Sequence, residues 1–217
     1  MHRVVTIDGP AGAGKSTVAR LLADRLGWRF LDTGAMYRVV TLAALRAGTD
    51  LEDSRALEDL ADRLHAEFPP GLTLLAGEDV SRAIRDVAVT RASRFIADCA
   101  GVRRRLVAWQ RAVAERDDVV TEGRDQGTIV FPDAFRKFFV TASEAERAAR
   151  RHRELVAKGQ DVDLETVLAD QRARDARDAA REIAPMRPAD DAETIDTTGL
   201  TIDQVVVLLH RKVQPSS

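Results

Sequence analysis

Apolar positions along the chain follow two alternating rhythms. Compact runs rich in β-branched and aromatic residues read as buried strands: Arg3-Val4-Val5-Thr6-Ile7, Trp28-Arg29-Phe30-Leu31, Val119-Val120-Thr121, Lys137-Phe138-Phe139-Val140-Thr141 and Thr194-Ile195-Asp196. Between them the apolar spacing turns helical. Val18, Leu21, Leu22 and Leu26 predict a helix over Thr17–Leu26, and Met36, Tyr37, Val40, Leu42 and Leu45 predict another, capped by Asp32 or Thr33 and ended by Gly48. Further helices are expected from about Asp53 to His65, Asp86 to Cys99, Gly101 to Arg116, Ser143 to Gly159, Asp163 to Arg181 (stopped by Pro185 and Pro188) and Thr201 to Val213. Phe68-Pro69-Pro70-Gly71 breaks the pattern, and Leu72-Thr73-Leu74-Leu75 with Gly77 reads as a small hairpin. Strands alternating with helices predict an α/β fold, a five-stranded parallel sheet flanked by helices.

Composition narrows the function. A hydrophobic share of 45% over 217 residues is enough for a real core in one domain. Net charge is −2, which argues against bulk binding of a nucleic acid polymer or a membrane surface, and no run approaches the ~18 apolar residues of a membrane span. Cys99 is the only cysteine, so a reducing, cytoplasmic setting is expected, with Cys99 a small packed residue. His2, His65, His152 and His210 show no metal-ligand spacing. The first strand begins almost at once, so no signal peptide is expected; the Pro215-Ser216-Ser217 tail is expected to be disordered. No heptad seam stands out, and a monomer is expected. Four lysines stand against 29 arginines, a bias that suits phosphate recognition or reflects genome composition.

The chemistry starts at Gly9-Pro10-Ala11-Gly12-Ala13-Gly14-Lys15-Ser16, followed by Thr17, a phosphate-binding loop pattern placed between a strand and a helix. Glycines let the main chain wrap a polyphosphate with its N–H groups inward, and the helix N-terminus adds positive potential. Lys15 would bridge the β and γ phosphates, and the Ser16 hydroxyl would sit on Mg²⁺.

That loop says only that a nucleoside triphosphate binds. The chain has no asparagine, hence no Asn-Lys-x-Asp guanine reader, and Val119-Val120-Thr121-Glu122 ends in one glutamate where a motor ATPase shows an Asp-Glu pair. On the helix after Gly159, Arg174, Arg177 with Asp178, and Arg181 recur at helical spacing. They form either an anion-binding row or a solvated face laced by pairs such as Asp170–Arg174 and Arg174–Asp178. Arg124-Asp125, between Gly123 and Gln126-Gly127 at the ligand end of a strand, either binds an acceptor phosphate and a base amine or closes its loop as a salt bridge.

End to end, the chain resembles the bacterial cytidylate kinases, within the nucleoside monophosphate kinases of the P-loop class. The resemblance rests on the phosphate loop, Leu31-Asp32-Thr33-Gly34-Ala35-Met36-Tyr37-Arg38 and Gly77-Glu78-Asp79-Val80-Ser81. It continues through Gly123-Arg124-Asp125-Gln126-Gly127-Thr128-Ile129-Val130-Phe131-Pro132-Asp133-Ala134, the run most specific to the family. It closes with Arg174-Asp175-x-Arg177-Asp178-x-x-Arg181, Ala184-Pro185-Met186 and Ile195-Asp196-Thr197-Thr198-Gly199-Leu200.

The resemblance implies a single domain with a core (1–33, 118–145 and 183–217), a monophosphate-binding region (34–117) and a mobile lid (146–182). It implies transfer from ATP, with Mg²⁺, to CMP and dCMP. A broader UMP/CMP or small-metabolite kinase is the alternative on the same scaffold, and a non-catalytic nucleotide sensor the alternative outside enzymes. ATP would be held by Gly9 to Thr17 and Arg150. Asp125, Arg103 and Ser93 would meet the cytosine, with Ser81 a substitute for Ser93. Thr33, Tyr37, Arg38 and Arg124 would hold the monophosphate end and nearby atoms, Asp178 with Arg174 the ribose, and Arg181 would close over the phosphates. Lys15, Arg124, Asp125 and Arg181 form the implied catalytic set. Gln126 stands where the family more often has methionine, which places a polar group in the run that reads the base.

Overall fold

The computed structural model describes residues 2–157 and 159–214; the Pro215–Ser217 tail lies outside the described residues. In chain order the elements are β1 (Val4–Asp8), α1 (Lys15–Leu26), β2 (Arg29–Leu31), α2 (Thr33–Ala47), α3 (Ser54–Arg63), β3 (Ala66–Glu67), β4 (Leu74–Leu75) and β5 (Glu78–Asp79). They continue with α4 (Val87–Asp98), α5 (Ala100–Ala114), β6 (Val119–Gly123), β7 (Arg136–Thr141), α6 (Glu144–Ala157), α7 (Leu164–Ala180), β8 (Glu193–Asp196) and α8 (Ile202–Val213). A 3₁₀ turn at Ala83–Arg85 and a π-turn at Gln126–Val130 complete the set. The chain divides into two compact units, one holding the residues up to Leu31 and those from Asp117 on, the other Asp32–Arg116.

The first unit is built on the predicted five-stranded sheet, in the order β2-β6-β1-β7-β8 with every pairing parallel. Strand periodicity sorts its side chains. Val5 and Ile7, Val120, Phe138 and Val140, and Ile195 share a buried cluster with Val18 and Leu22 of α1 and Val205, Val206, Leu209 and Val213 of α8. Each such side chain removed from water contributes about 1.5–3 kcal/mol. The alternate positions carry polar groups, Thr6 and Asp8 of β1 and Thr121 of β6, all buried. Helix α8 is fixed at its start by a capping box: Thr201 Oγ1 accepts from the Gln204 amide at 3.2 Å, and Gln204 Oε1 accepts from the Thr201 amide at 2.9 Å.

This strand order places the ligand end. The chain leaves β1 toward β2 on one side and leaves β7 toward β8 on the other, so the C-terminal ends of β1 and β7 flank a topological switch point. Gly9 crosses there so closely that a Cβ would stand 2.0 Å from the Val140 carbonyl oxygen, and its φ of +141° suits only glycine. Helix α7 and all of α6 but its first two residues lie in the span expected to form a lid, and both belong to this first unit.

The second unit is helical with a small antiparallel sheet. Met36, Val39 and Val40 of α2, Leu57 and Ala61 of α3, Ile96 of α4, and Val102 and Leu106 of α5 are buried in its core. Asp32 caps α2, accepting from the Ala35 amide at 2.8 Å, and Asp53 caps α3 by accepting from the Arg55 and Ala56 amides. The expected hairpin is β4 and β5, turning through Ala76 and Gly77, both at positive φ (50° and 83°), as a tight hairpin turn requires. Sequence periodicity missed its third strand, β3, because two residues carry no period. Cys99 is 3% exposed, its Sγ 3.5 Å from the Ser54 carbonyl oxygen. No helix among the described residues is long and apolar enough to cross a membrane.

Candidate active site

The phosphate loop joins β1 to α1, and α1 begins at Lys15 itself. Its first amides, which have no carbonyl partners within the helix, therefore face the loop. Lys15 is only 5% exposed and its Nζ donates to the Pro10 carbonyl at 2.7 Å. Burial first, then the neighbouring charges of Arg124 and Arg174, push the Lys15 ammonium down to about 7, against the opposing pull of Glu122 and Asp8. Positive charge packed this tightly favours an anion nearby, which would restore the ammonium.

Ser16 donates its hydroxyl to Glu122 Oε1 at 2.9 Å. Glu122 is buried at the end of β6; the sequence shows it as a lone strand-end glutamate but does not join it to Ser16. The two groups fit Mg²⁺: both offer hard oxygen, and a hydroxyl that donates to the acid keeps its lone pairs for a cation. No cluster of three or more His, Cys, Asp or Glu among the described residues forms a metal cage, so phosphates and water would complete the shell.

Asp178 is where the arginines gather. Arg124 Nε donates to its Oδ2 at 2.8 Å, and Arg181 Nη2 lies 2.9 Å from its Oδ1, with the Asp178 side chain 7% exposed. The resemblance sets Asp178 with Arg174 at the ribose; here Asp178 forms ion pairs with Arg124 and Arg181, and its charge also acts on Arg174. Arg174 is exposed, yet its charge bears on Lys15. Arg177, like Arg174, is exposed, and its Nε donates to the Ala173 carbonyl at 3.2 Å.

Asp125 is 5% exposed. Its carbonyl accepts from the Ile129 amide at 2.9 Å and the Val130 amide at 3.2 Å, and the Gln126 carbonyl accepts from Phe131 at 2.7 Å. The last two are i+5 bonds and make a π-turn, a form found often at functional sites. The Gln126 side chain is 2% exposed, and its Oε1 accepts from Thr121 Oγ1 at 2.9 Å.

The buried Arg147 of α6 and Asp175 of α7 grip one residue of the phosphate loop from both ends. Arg147 Nη1 donates to the Ala11 carbonyl at 2.8 Å, Asp175 Oδ1 accepts from the Ala11 amide at 3.0 Å, and the two side chains pair with each other. Neither residue was expected from sequence as a site member. Arg150, expected at ATP, donates to the Thr197 carbonyl at 2.8 Å and to Glu146 Oε1 at 2.9 Å, which ties α6 to the loop after β8.

In the second unit Thr33 is buried at the start of α2. Asp32 faces two arginines, Arg38 at 3.4 Å and Arg85 at 3.2 Å, the latter unforeseen. The buried Arg103 donates to the Tyr37 hydroxyl at 3.0 Å. Ser93 donates to the Thr90 carbonyl of its own helix at 2.8 Å. Ser81 Oγ accepts from the Thr73 amide at 2.9 Å, next to β4.

Against known proteins, the sequence model described as cytidylate kinase matches residues 5–215. The chain belongs to the cytidylate kinase family. A cytidylate kinase from Burkholderia vietnamiensis is 49% identical over 203 residues, covering 94% of this chain and 89% of its own. Solved structures agree on the fold alone. An uncharacterized protein from Eubacterium ventriosum superposes with a TM-score of 0.54 at 13% identity, covering 99% of this chain and 100% of its own. A gluconokinase from Sinorhizobium meliloti superposes at 0.50 with 16% identity, covering 97% and 91%. Within the cytidylate kinase family, then, this chain keeps an intact phosphate loop and an arginine cluster beside it.

Proposed function

We propose that the chain transfers the γ-phosphoryl group of ATP to CMP and dCMP, giving ADP with CDP or dCDP. The observation that carries the reading is the Lys15 ammonium buried in a phosphate loop beside Arg124, whose guanidinium shares Asp178 with Arg181. Phosphoryl transfer spreads charge over oxygens, and fixed cations in a dry site stabilise it without reorganising. The bond between the β–γ bridging oxygen and the γ phosphorus breaks as a phosphate oxygen of CMP forms the new one. No covalent enzyme intermediate is needed.

Gly9 to Thr17 hold the donor phosphates in this reading, and Lys15 bridges β and γ. Ser16, with Glu122 behind it, would hold Mg²⁺, which would neutralise phosphate charge. Thr33, Tyr37, Arg38, Arg103 and Ser93 serve CMP, and Arg124 serves its phosphate. The Asp125 carboxylate accepts from the cytosine amine, where uracil presents a carbonyl. Asp178 and Arg174 serve the ribose, Arg150 the donor through the loop it braces, and α6 with α7 close as a lid against water. The enzyme works as a cytoplasmic monomer.

An acceptor panel tests this by coupled ADP release with CMP, dCMP, UMP, AMP, GMP and gluconate. CMP and dCMP are expected to lead. Equal use of UMP would replace the reading with a broader pyrimidine kinase, and ATP binding with no ADP from any acceptor would replace it with a nucleotide sensor.

A further inference from the structure

We propose that Asp8 is a positioning residue for transfer, holding the Arg124–Asp125 segment in register with the phosphate loop. The inference rests on the phosphoryl-transfer reading above. Asp8 ends β1 and immediately precedes Gly9. The β1–β6 ladder stops at the pair Asp8–Gly123, so no strand pairing reaches the residues that follow Gly123. The Asp8 side chain continues the connection: its Oδ1 accepts from the Gln126 amide at 2.9 Å and its Oδ2 from the Gly127 amide at 2.7 Å. One carboxylate thus touches the start of the donor loop through its own main chain and, through two bonds, the amides just beyond Arg124 and Asp125.

Residue type is specified on both sides of this contact. Two parallel N–H groups need two acceptors, which a carboxylate supplies; an amide of the same shape supplies one and sets an NH₂ against the other. On the far side, a Cβ at Gly127 would lie 3.0 Å from Thr6 Oγ1, 3.2 Å from Lys137 Cδ and 3.4 Å from Asp8 Oδ2, so the approach is one that glycine permits. Gln126, held by Thr121 and by the π-turn, keeps the segment from relaxing around a lost bond. An acid that is 5% exposed is costly to keep for packing alone. Its burial pushes its carboxyl up to about 6 in spite of both amides.

A residue that aligns two bound partners alters the step they take together more than the binding of either. Asp8→Asn and Asp8→Ala are compared with the wild type by kcat at saturation, by calorimetric Kd for ATP and for CMP separately, and by Tm. Both variants are expected to lose kcat by ~10–100-fold, the scale of an ångström of misplacement, while each Kd stays within about threefold and Tm within a few degrees. Unchanged kcat overturns the proposal. So does a loss accompanied by matching losses of both affinities and of Tm, the mark of a structural role. If neither variant folds, Gly127→Ala presses the same contact from its other side, and an unchanged kcat there overturns the proposal equally. A wild type that ignores CMP would fail the functional reading instead, and Asp8 would then be tested with the acceptor it does use.

Discussion

The Ser16 hydroxyl donates to the Glu122 carboxylate across 2.9 Å, linking the first turn of α1 to the end of β6. With its proton committed to the acid, the serine oxygen presents lone pairs to a cation, and the buried carboxylate holds it in that orientation. Glu122→Gln keeps the shape but not the charge. The Mg²⁺ concentration giving half-maximal rate is expected to rise ~10–100-fold, as for other groups that orient a metal ligand. A magnesium titration at saturating ATP and CMP checks it, and an unaltered curve removes Glu122 from the metal's surroundings.

Lys15 sits in the folded protein near 7, well below its ordinary value. Between about pH 7 and its ordinary range, the unfolded chain holds a proton that the nucleotide-free fold lacks. Stability of the nucleotide-free protein should therefore rise with pH across that window. Lys15→Met removes a buried cation, so its nucleotide-free Tm at pH 7 is expected to increase although transfer is lost. A fall in Tm would contradict this.

The same shift couples ATP binding to protons. Polyphosphate restores the ammonium, so binding above pH 7 takes up a proton, and affinity weakens as pH rises beyond it. Calorimetry in two buffers of different ionisation heat measures the uptake directly. Equal heats in both would show that Lys15 is already charged.

Arg124 and Arg181 share Asp178, so removing one leaves the acid buried with half its compensation. Arg124→Ala is expected to lower kcat/KM for CMP by roughly 2–5 kcal/mol in transition-state binding. Adding Asp178→Asn should cost less than the sum of the two single changes, because the stranded charge has gone. Additive losses would mean that the pair acts as two independent groups.

Arg147 and Asp175 hold Ala11 by its amide and its carbonyl. Arg147 is buried and Asp175 half-buried, so breaking the pair by Asp175→Asn is expected to cost about 1–3 kcal/mol of stability. KM for ATP should rise more than KM for CMP, since the residue released belongs to the phosphate loop. Denaturant unfolding and two-substrate kinetics separate these effects, and equal changes in the two KM values would place the grip elsewhere.

Much of this was legible in the sequence because its causes are local. The five strands follow from runs such as Val4-Val5-Thr6-Ile7, and α1, α2 and α7 from spacing with Asp32 and Asp163 as caps. The phosphate loop is local too: its glycines, lysine and serine are contiguous. What sequence could not show is pairing across long separations. Asp8 with Gln126, Ser16 with Glu122, and Ala11 with Arg147 and Asp175 are joined by the strand order rather than by proximity in the chain. The bond between the Gln126 side chain and Thr121 is likewise invisible in the sequence, where Gln126 shows only its adjacency to Asp125.

Cys99, sealed beside the Ser54 carbonyl in the helical unit, is the chain's sole thiol. A thiol reagent can reach it only when that unit loosens, so the labelling rate times the opening of those helices without mutation or dye. Nucleotide that slows the labelling must tighten the unit, and the wild-type protein thereby carries its own gauge of breathing.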